Sequence, residues 1–181
     1  MKRFLLICLL LCLPSLSHAL DFEELGEYAE SPETLKGEFT QTRFLKSLDA
    51  SITSTGTFSY EKGGEIRWTT LEPLASELIL TPEGIHSDDG SLPEDKTPVM
   101  KMISDIFFAL LSADWEALEQ HFRIEGELVD NRWQVVLFPR EETLASAIQQ
   151  IDLAGGRYLT AMDLHEAGGD VVHIELSDLQ P

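Results

Sequence analysis

The sequence predicts a mainly β fold with some α-helix: a curved antiparallel sheet that forms an incomplete, open β-barrel, with helices covering its concave side. Three observations predict it. About ten short segments of β-type composition fill most of the chain, and tight turns rich in glycine, asparagine and aspartate separate them. One strongly apolar helical segment interrupts the series in the middle. Neighbouring strands joined by short turns pair antiparallel, and the apolar helix must pack on the sheet they form.

The first nineteen residues have the three-part pattern of a cleavable secretory signal. Lys2 and Arg3 form a basic start, an apolar run of about ten residues follows, and Ser17 and Ala19 are small residues that suit cleavage. The run is shorter than the roughly 20 residues that span a bilayer. We therefore expect cleavage near Ala19, export to the periplasm, and one domain over residues 20–181. A retained membrane anchor is the alternative.

Loss of this segment changes the composition. Cys8 and Cys12 both lie in it, and neither follows the small residue that lipoprotein processing requires. The remaining chain has no cysteine, which excludes disulfides and thiolate sites. Without Lys2 and Arg3 it holds 11 basic and 32 acidic side chains, a formal charge of −21. Such a surface repels nucleic acid, so we expect no nucleic-acid partner.

The first half of the chain after the signal predicts a helix and then a strand meander. A short amphipathic helix is expected at 21–29, and Pro32 ends it. The alternation is clearest where Ile52, Phe58 and Tyr60 share one face and serines and threonines share the other. Five strands are predicted here, over residues 38–44, 51–60, 65–70, 76–80 and 85–86.

The middle of the chain is helical. A polar loop is expected at 88–98, and residues 99–111 form a helix that is apolar over most of its circumference. Asp114 is placed to cap a second helix at 115–120. The apolar helix is either ordinary core or a lid that covers an apolar cavity and moves when a ligand enters. The candidate lid residues are Met100, Ile103, Phe107 and Leu111.

The last third returns to strands. A two-residue turn at Asp130-Asn131 joins the first two of them, and glycine pairs at 155–156 and 168–169 join the last three. One helical turn is expected at 141–147. The predicted strands cover residues 122–128, 133–138, 148–153, 158–164 and 171–176.

Catalytic signatures are missing from the sequence. It contains no G-x-S-x-G, H-E-x-x-H, G-x-G-x-x-G or phosphate-binding glycine loop. His165 and His173 could be neighbours across the last hairpin, but zinc prefers three or four ligands. We therefore predict no enzyme, no catalytic residue, no metal and no cofactor. A hydrolase that uses a carboxylate pair hidden among the many acidic residues is the alternative.

The concave face of the first strands is predicted to line an apolar chamber shared with the lid. A curved sheet has one concave face, and the larger apolar side chains of these strands would point into it. The candidate lipid-binding residues are Ile52, Phe58, Ile66, Trp68, Leu78 and Leu80.

The order of these motifs resembles the periplasmic outer-membrane lipoprotein carriers of the LolA type. The resemblance runs through most of the chain after the signal, and the apolar helix and closing meander follow in the family's order. The motifs that carry it are Gly37-Glu38-Phe39-Thr40-Gln41, Gly56-Thr57-Phe58, Ile66-Arg67-Trp68, Pro73, Thr81-Pro82-Glu83-Gly84 and Asp114-Trp115.

The resemblance implies a carrier that takes the acyl chains of a lipoprotein from an inner-membrane transporter and hands them to an outer-membrane acceptor. Acyl chains need shielding because each CH₂ exposed to water costs about 0.8 kcal/mol. We expect a monomer with no stable membrane insertion. Two alternatives stay open: a carrier or accessory protein for a glycolipid or other acylated molecule, and a non-lipid periplasmic interaction module.

The chain departs from the family at its cavity arginine. That arginine lies six positions before the tryptophan of the third strand, where this chain has Lys62, followed by Gly63 instead of proline. Lys62 or Arg67 is the candidate cavity or gate charge. An ordinary hairpin lysine is the alternative for Lys62, and alternation with Trp68 points Arg67 to the opposite face. The chain stops at Pro181, so the family's longer C-terminal extension is expected to be missing.

Overall fold

The structure, a computed structural model, describes residues 22–87, 98–130 and 132–181. The predicted signal, residues 88–97 of the loop predicted at 88–98, and Asn131 lie outside the described residues, and Pro98, expected in that loop, begins a helix instead. Within them, no helix is long and apolar enough to cross a membrane. The elements are α1 (Phe22–Tyr28), β1 (Thr34–Leu45), β2 (Ala50–Glu61), β3 (Ile66–Glu72), β4 (Ser76–Thr81), β5 (Gly84–Ser87), α2 (Pro98–Ser112), α3 (Trp115–His121), β6 (Phe122–Val129), β7 (Arg132–Pro139), α4 (Glu142–Ala145), β8 (Ile148–Gly155), β9 (Leu159–Glu166) and β10 (Val171–Gln180).

The ten strands form one antiparallel sheet in the order β5-β4-β3-β2-β1-β10-β9-β8-β7-β6. The first and last strands of the chain pair at the centre, and β5 and β6 are left as the two edges. α2 packs against β5, α3 packs against β6, and the two helices contact each other. The helices therefore bridge the open side of the sheet, and the predicted fold class is confirmed.

Strand alternation determines which side of the sheet is buried. Phe58 lies opposite Trp68, which lies opposite Leu78, and these side chains belong to one row across three strands. In the neighbouring row, Tyr60 and Ile66 are almost fully buried. The opposite face of β2 carries exposed serines and threonines. Apolar residues therefore face inward, as the period of two in the sequence predicts.

The central strands are longer than predicted. β1 begins at Thr34, four residues before the expected start, and Leu35 is buried opposite the end of β2. A register shift between Lys36 and Glu38 lets the end of β10 continue to Gln180. Lysine and glycine have low strand propensity, but pairing on both sides of β1 outweighs it here.

The link between α2 and α3 matches the predicted cap. The Asp114 carboxylate accepts a hydrogen bond from the backbone N–H of Ala117 at 3.0 Å. Ala113, just before it, has φ = 51°, and this left-handed residue turns the chain from α2 into α3. Trp115 then packs edge-on against Trp133, with ring centroids 5.3 Å apart. The cap and the ring contact fix α3 beside the β6–β7 edge of the sheet.

Candidate functional site: an apolar chamber beneath a helix

An aromatic stack forms one wall of the interior. The Phe39 and Trp68 rings stack with centroids 4.0 Å apart, and Phe58 stacks on the other part of Trp68 at 5.9 Å. Gly56 lies on β2, between the strands that carry Phe39 and Trp68. A Cβ there would overlap the backbone oxygen of Thr69 and the Phe39 ring. The glycine therefore lets the Phe39 ring lie flat against the sheet.

Five of the six candidate cavity residues lie together on this wall. Phe58, Ile66 and Leu80 are buried, and Trp68 and Leu78 are half-buried and packed against the same core. The sixth, Ile52, shares their face by alternation but is 50% exposed near the end of the β1–β2 hairpin. Ile52 therefore lies beyond the chamber.

α2 fills the space opposite this wall. Phe107 and Leu111 of the candidate lid face Trp68 across a residual cavity of about 20 Å³. That volume holds at most one water molecule. Ile103 is half-buried in the same helix. Met100 lies within α2, but its side chain is outside the described part of the chain.

The far wall comes from strands that the sequence reading did not include in the site. Four apolar side chains of β9 and β10 complete the lining of the same cavity: Leu159, Met162, Ile174 and Leu176. The alternation of Ile174 and Leu176 along β10 was a usable signal, whereas Leu159 and Met162 are three residues apart because the pairing of β8 with β9 is irregular there. Sequence order hid it, because β10 joins the first strands only through its pairing with β1.

A hydrogen bond fixes the middle of α2 to the edge of the sheet. Ser104 is completely buried, and its hydroxyl donates to the backbone carbonyl of Thr81 at 2.6 Å. A hydroxyl with no solvent access stabilises the closed arrangement through this contact, since leaving it unpaired would cost about 1–3 kcal/mol. Thr81 ends β4, so the bond links helix and sheet directly.

The two candidate charges lie outside the chamber. Arg67 points to the convex face, where Glu65 and Glu77 each accept a hydrogen bond from it at 2.7 Å. It therefore supplies no charge to the interior. Lys62 lies in the β2–β3 turn with its Nζ 3.3 Å from Glu33, and both side chains are well exposed.

Lys62 borders a second, larger concavity. This cleft of about 970 Å³ lies between α2, α3 and the β2–β3 turn, and none of the candidate cavity or lid residues lines it. Asp105, Asp114 and Glu116 contribute carboxylates to its lining. Tyr60 also borders it, and burial raises the pKa of its hydroxyl. This opening is thus a mixed polar cleft, separate from the apolar chamber.

Histidines on the convex face pair with carboxylates. His173 contacts Asp163 at 2.6 Å, and His165 contacts Asp152 at 2.7 Å. The hydrogen bond to Asp163 raises the pKa of His173. Within the described residues, no group of three or more potential ligands is arranged to hold a metal ion.

Fold and site together define an open, antiparallel β-barrel whose apolar interior is occupied by one of its own helices. The chain belongs to the family described as "Outer membrane lipoprotein carrier protein LolA", whose model matches residues 30–181.

Relatives named outer-membrane lipoprotein carrier protein match this chain over nearly its whole length. The one from Methylococcus capsulatus is 25% identical over 98% of this chain and 86% of its own length. The one from Nitrosospira multiformis is 26% identical over 99% of this chain and 87% of its own length. Among solved structures, a LolA superfamily protein from Nitrosomonas europaea matches with a TM-score of 0.48 and 10% identity, covering 88% of this chain and 90% of that one.

Proposed function

We propose that this protein is a periplasmic carrier that binds the acyl chains of lipoproteins or related lipids in the apolar chamber and shuttles them from the inner to the outer membrane. One observation carries the proposal: both walls of the chamber are apolar, while only about 20 Å³ of it is open. An acyl chain could enter only by displacing α2. The names of the relatives give the class of cargo.

The packing of α2 suits such a displacement. Phe107 and Leu110 contact the chamber through apolar surface, and hydrophobic contacts have no preferred direction. An acyl chain that replaces the helix offers the opposite wall an equivalent apolar surface. The apolar area of the wall thus stays covered in both states, so the exchange costs little.

The charge of the molecule suits diffusion between two membranes. The whole chain carries a formal charge of −19, which opposes aggregation of a protein that exposes apolar surface when it opens. A membrane transporter and a membrane acceptor with basic docking faces would be attracted by the same charge. The role needs no catalytic group, metal or cofactor.

The cargo can be identified directly. Protein isolated gently from its native envelope should release acylated molecules on solvent extraction, detected by mass spectrometry. Lipoprotein fragments would support the proposed cargo, and a glycolipid would assign the chamber to another acylated molecule. Absence of any lipid, together with no binding of a fluorescent fatty acid, would favour the non-lipid interaction module.

Changing Phe107 to aspartate should abolish loading. A carboxylate placed against Trp68 and the far wall would be buried without a partner whenever an acyl chain lay beside it. Binding of a fluorescent fatty acid should fall at least about tenfold.

Phe138→Asp is the matched control. Phe138 lies on the convex side of β7, and the Cζ atom of Arg123 lies 4.4 Å from the centroid of the Phe138 ring. Substitution of Phe138 should therefore leave loading intact. Equal loss in both variants would indicate general destabilisation and remove support for the lid assignment. Circular dichroism of both variants establishes that the sheet is folded.

A further inference from the structure

Four large aliphatic side chains stand exposed at one end of the barrel. Six large hydrophobic residues are exposed among those the structure describes, and four of them belong to two neighbouring turns. Residues 43–52 and 71–75, at the β1–β2 and β3–β4 turns, are called the tip below. Its exposed apolar members are Leu48 at 69%, Ile52 at 50%, Leu71 at 57% and Leu74 at 79%.

The antiparallel register places both turns at the same end. Thr55 pairs with Glu72, so the five residues of β2 before Thr55 extend past the β3–β4 turn. At about 3.4 Å a residue, the β1–β2 hairpin projects on the order of 15 Å beyond the end of β3, whereas β10 flanks it on the other side as far as Phe44. Leu48 lies in the turn at the end of this hairpin, and Leu74 lies in the neighbouring β3–β4 turn.

The residues of the tip itself carry no net charge in a strongly acidic molecule. Their charged side chains are Arg43, Lys46, Asp49 and Glu72, which balance. Glu166 and Asp170, at the β9–β10 turn of the same end, form ion pairs with Arg43 of the tip. The α1–β1, β4–β5 and α2–α3 connections lie at the opposite end and carry Glu30, Glu33, Glu83 and Asp114. Lys62 and Arg157, in the turns at that end, pair with Glu33 and Glu30. The residues of the tip therefore add no net charge of their own to a contact with a bilayer, whereas the molecule as a whole is repelled by anionic lipid.

The composition of the tip favours a lipid surface over a protein partner. Its apolar side chains are exposed at two turns, and none of them lines the cleft or the chamber described above. All four are aliphatic, whereas the residues that dominate protein interfaces are mainly tryptophan, tyrosine and arginine. A bilayer interface needs no shape complementarity, since burial of aliphatic area alone is favourable.

We infer that the tip docks this protein reversibly on the lipid surface of a membrane. Ile52 shares the face of β2 that carries Phe58 in the chamber wall, so the strand leads from the chamber to the docking point. Docking there brings the chamber's own wall to the bilayer from which an acyl chain is taken or to which it is given. Docking itself does not depend on the proposed carrier function. Only its purpose, transfer of an acyl chain to or from the bilayer, rests on that function.

Flotation with phosphatidylcholine vesicles tests the inference. We expect wild-type protein to float with the vesicles and Leu48→Ser/Leu74→Ser to lose at least about tenfold in partitioning, because two inserted leucines are removed. Val129→Ser is the matched control: Val129 is 39% exposed at the β6–β7 turn, at the other end of the sheet. This control should float as the wild type does.

A minor fraction of phosphatidylglycerol should weaken wild-type flotation at low salt, and added salt should restore it. Wild-type protein that floats with neither kind of vesicle, or a double variant that floats normally, would overturn the inference. Crosslinking in the cell envelope tests a protein partner. If the wild type binds no vesicles but forms a crosslink to an envelope protein that the double variant loses, the tip is assigned to a protein partner instead.

Fatty-acid binding separates this inference from the proposed function. The double variant should bind a fluorescent fatty acid as the wild type does, because Leu48 and Leu74 lie outside the chamber. Protein that binds the fatty acid but no vesicle retains the carrier function and loses the docking inference. Protein that binds vesicles but no fatty acid retains the docking inference and loses the carrier function.

Discussion

Gly155 shows how a single residue determines the packing of the Trp133 ring in the core. It is buried at the end of β8 opposite Trp133, whose indole N–H donates to the backbone carbonyl of Gly156 at 2.6 Å. A Cβ on Gly155 would overlap the Trp133 ring and the backbone oxygen of Tyr158. The ring can therefore lie across the strand only because this position has no side chain.

Gly155→Ala should destabilise the protein by about 1–3 kcal/mol, because the indole must move and strain its hydrogen bond. Urea unfolding followed by tryptophan fluorescence measures the loss. Gly156→Ala is the control, since nothing lies within 4 Å of a Cβ there. If the control loses as much stability as Gly155→Ala, overlap with Trp133 is not the cause.

At the scale of an element, α2 is both part of the core and the piece that must move. Its inner face packs against the chamber walls, and Ser104 holds it to Thr81. The outer surface carries an ion pair between Lys101 and Asp105, one turn apart. Contacts that oppose opening therefore lie on one face of the helix, and contacts that only support helicity lie on the other.

Ser104→Ala should speed ligand loading. The closed state loses a buried hydrogen bond to the sheet, whereas the displaced helix loses nothing, so closure is weakened by about 1 kcal/mol. Stopped-flow mixing with a fluorescent fatty acid should show a rate increase of roughly fivefold.

Lys101→Ala removes a contact within the helix surface and should leave that rate within about twofold of the wild type. Accelerated loading in both variants would mean that helix stability, and not the link to Thr81, controls opening. An unchanged rate in Ser104→Ala would remove this bond from the opening step.

At the scale of the whole molecule, charge opposes the fold. The chain carries 32 acidic against 13 basic side chains, and they are held closer together in the folded state than in the unfolded one. Several ion pairs relieve this locally, such as Arg43 with Glu166 and Arg157 with Glu30. These pairs are exposed and each contributes little.

Salt should therefore stabilise the protein. Raising sodium chloride from about 10 mM to about 300 mM shortens the screening length and should raise the melting temperature by roughly 3 °C or more. Scanning calorimetry at pH 7 measures it. Choline chloride is the control that separates screening from sodium binding, and it should act equally. A melting temperature that stays constant or falls with salt would contradict net repulsion as the dominant electrostatic effect.

Local patterns were enough to predict most elements. The alternation in Ser51 to Tyr60, the turn at Asp130 and the cap at Asp114 each depend on residues close together in sequence, and the structure has the strand, hairpin and cap. The far wall of the chamber and the extension of β1 depend on the pairing of β1 with β10. No local pattern encodes the pairing of two strands from opposite ends of a chain.

The sequence by itself determined the fold class, because strand period, turn chemistry and one apolar helix are local properties that allow few arrangements. It also determined which face of each strand is apolar. Only the tertiary structure decided which walls meet across α2 and that Lys62 borders a separate cleft outside the chamber. It also decided that Ile52 belongs to the exposed tip. The physical reason is that burial depends on what packs against a side chain, and for this chamber the packing partners lie roughly 40 to 110 residues apart in the chain.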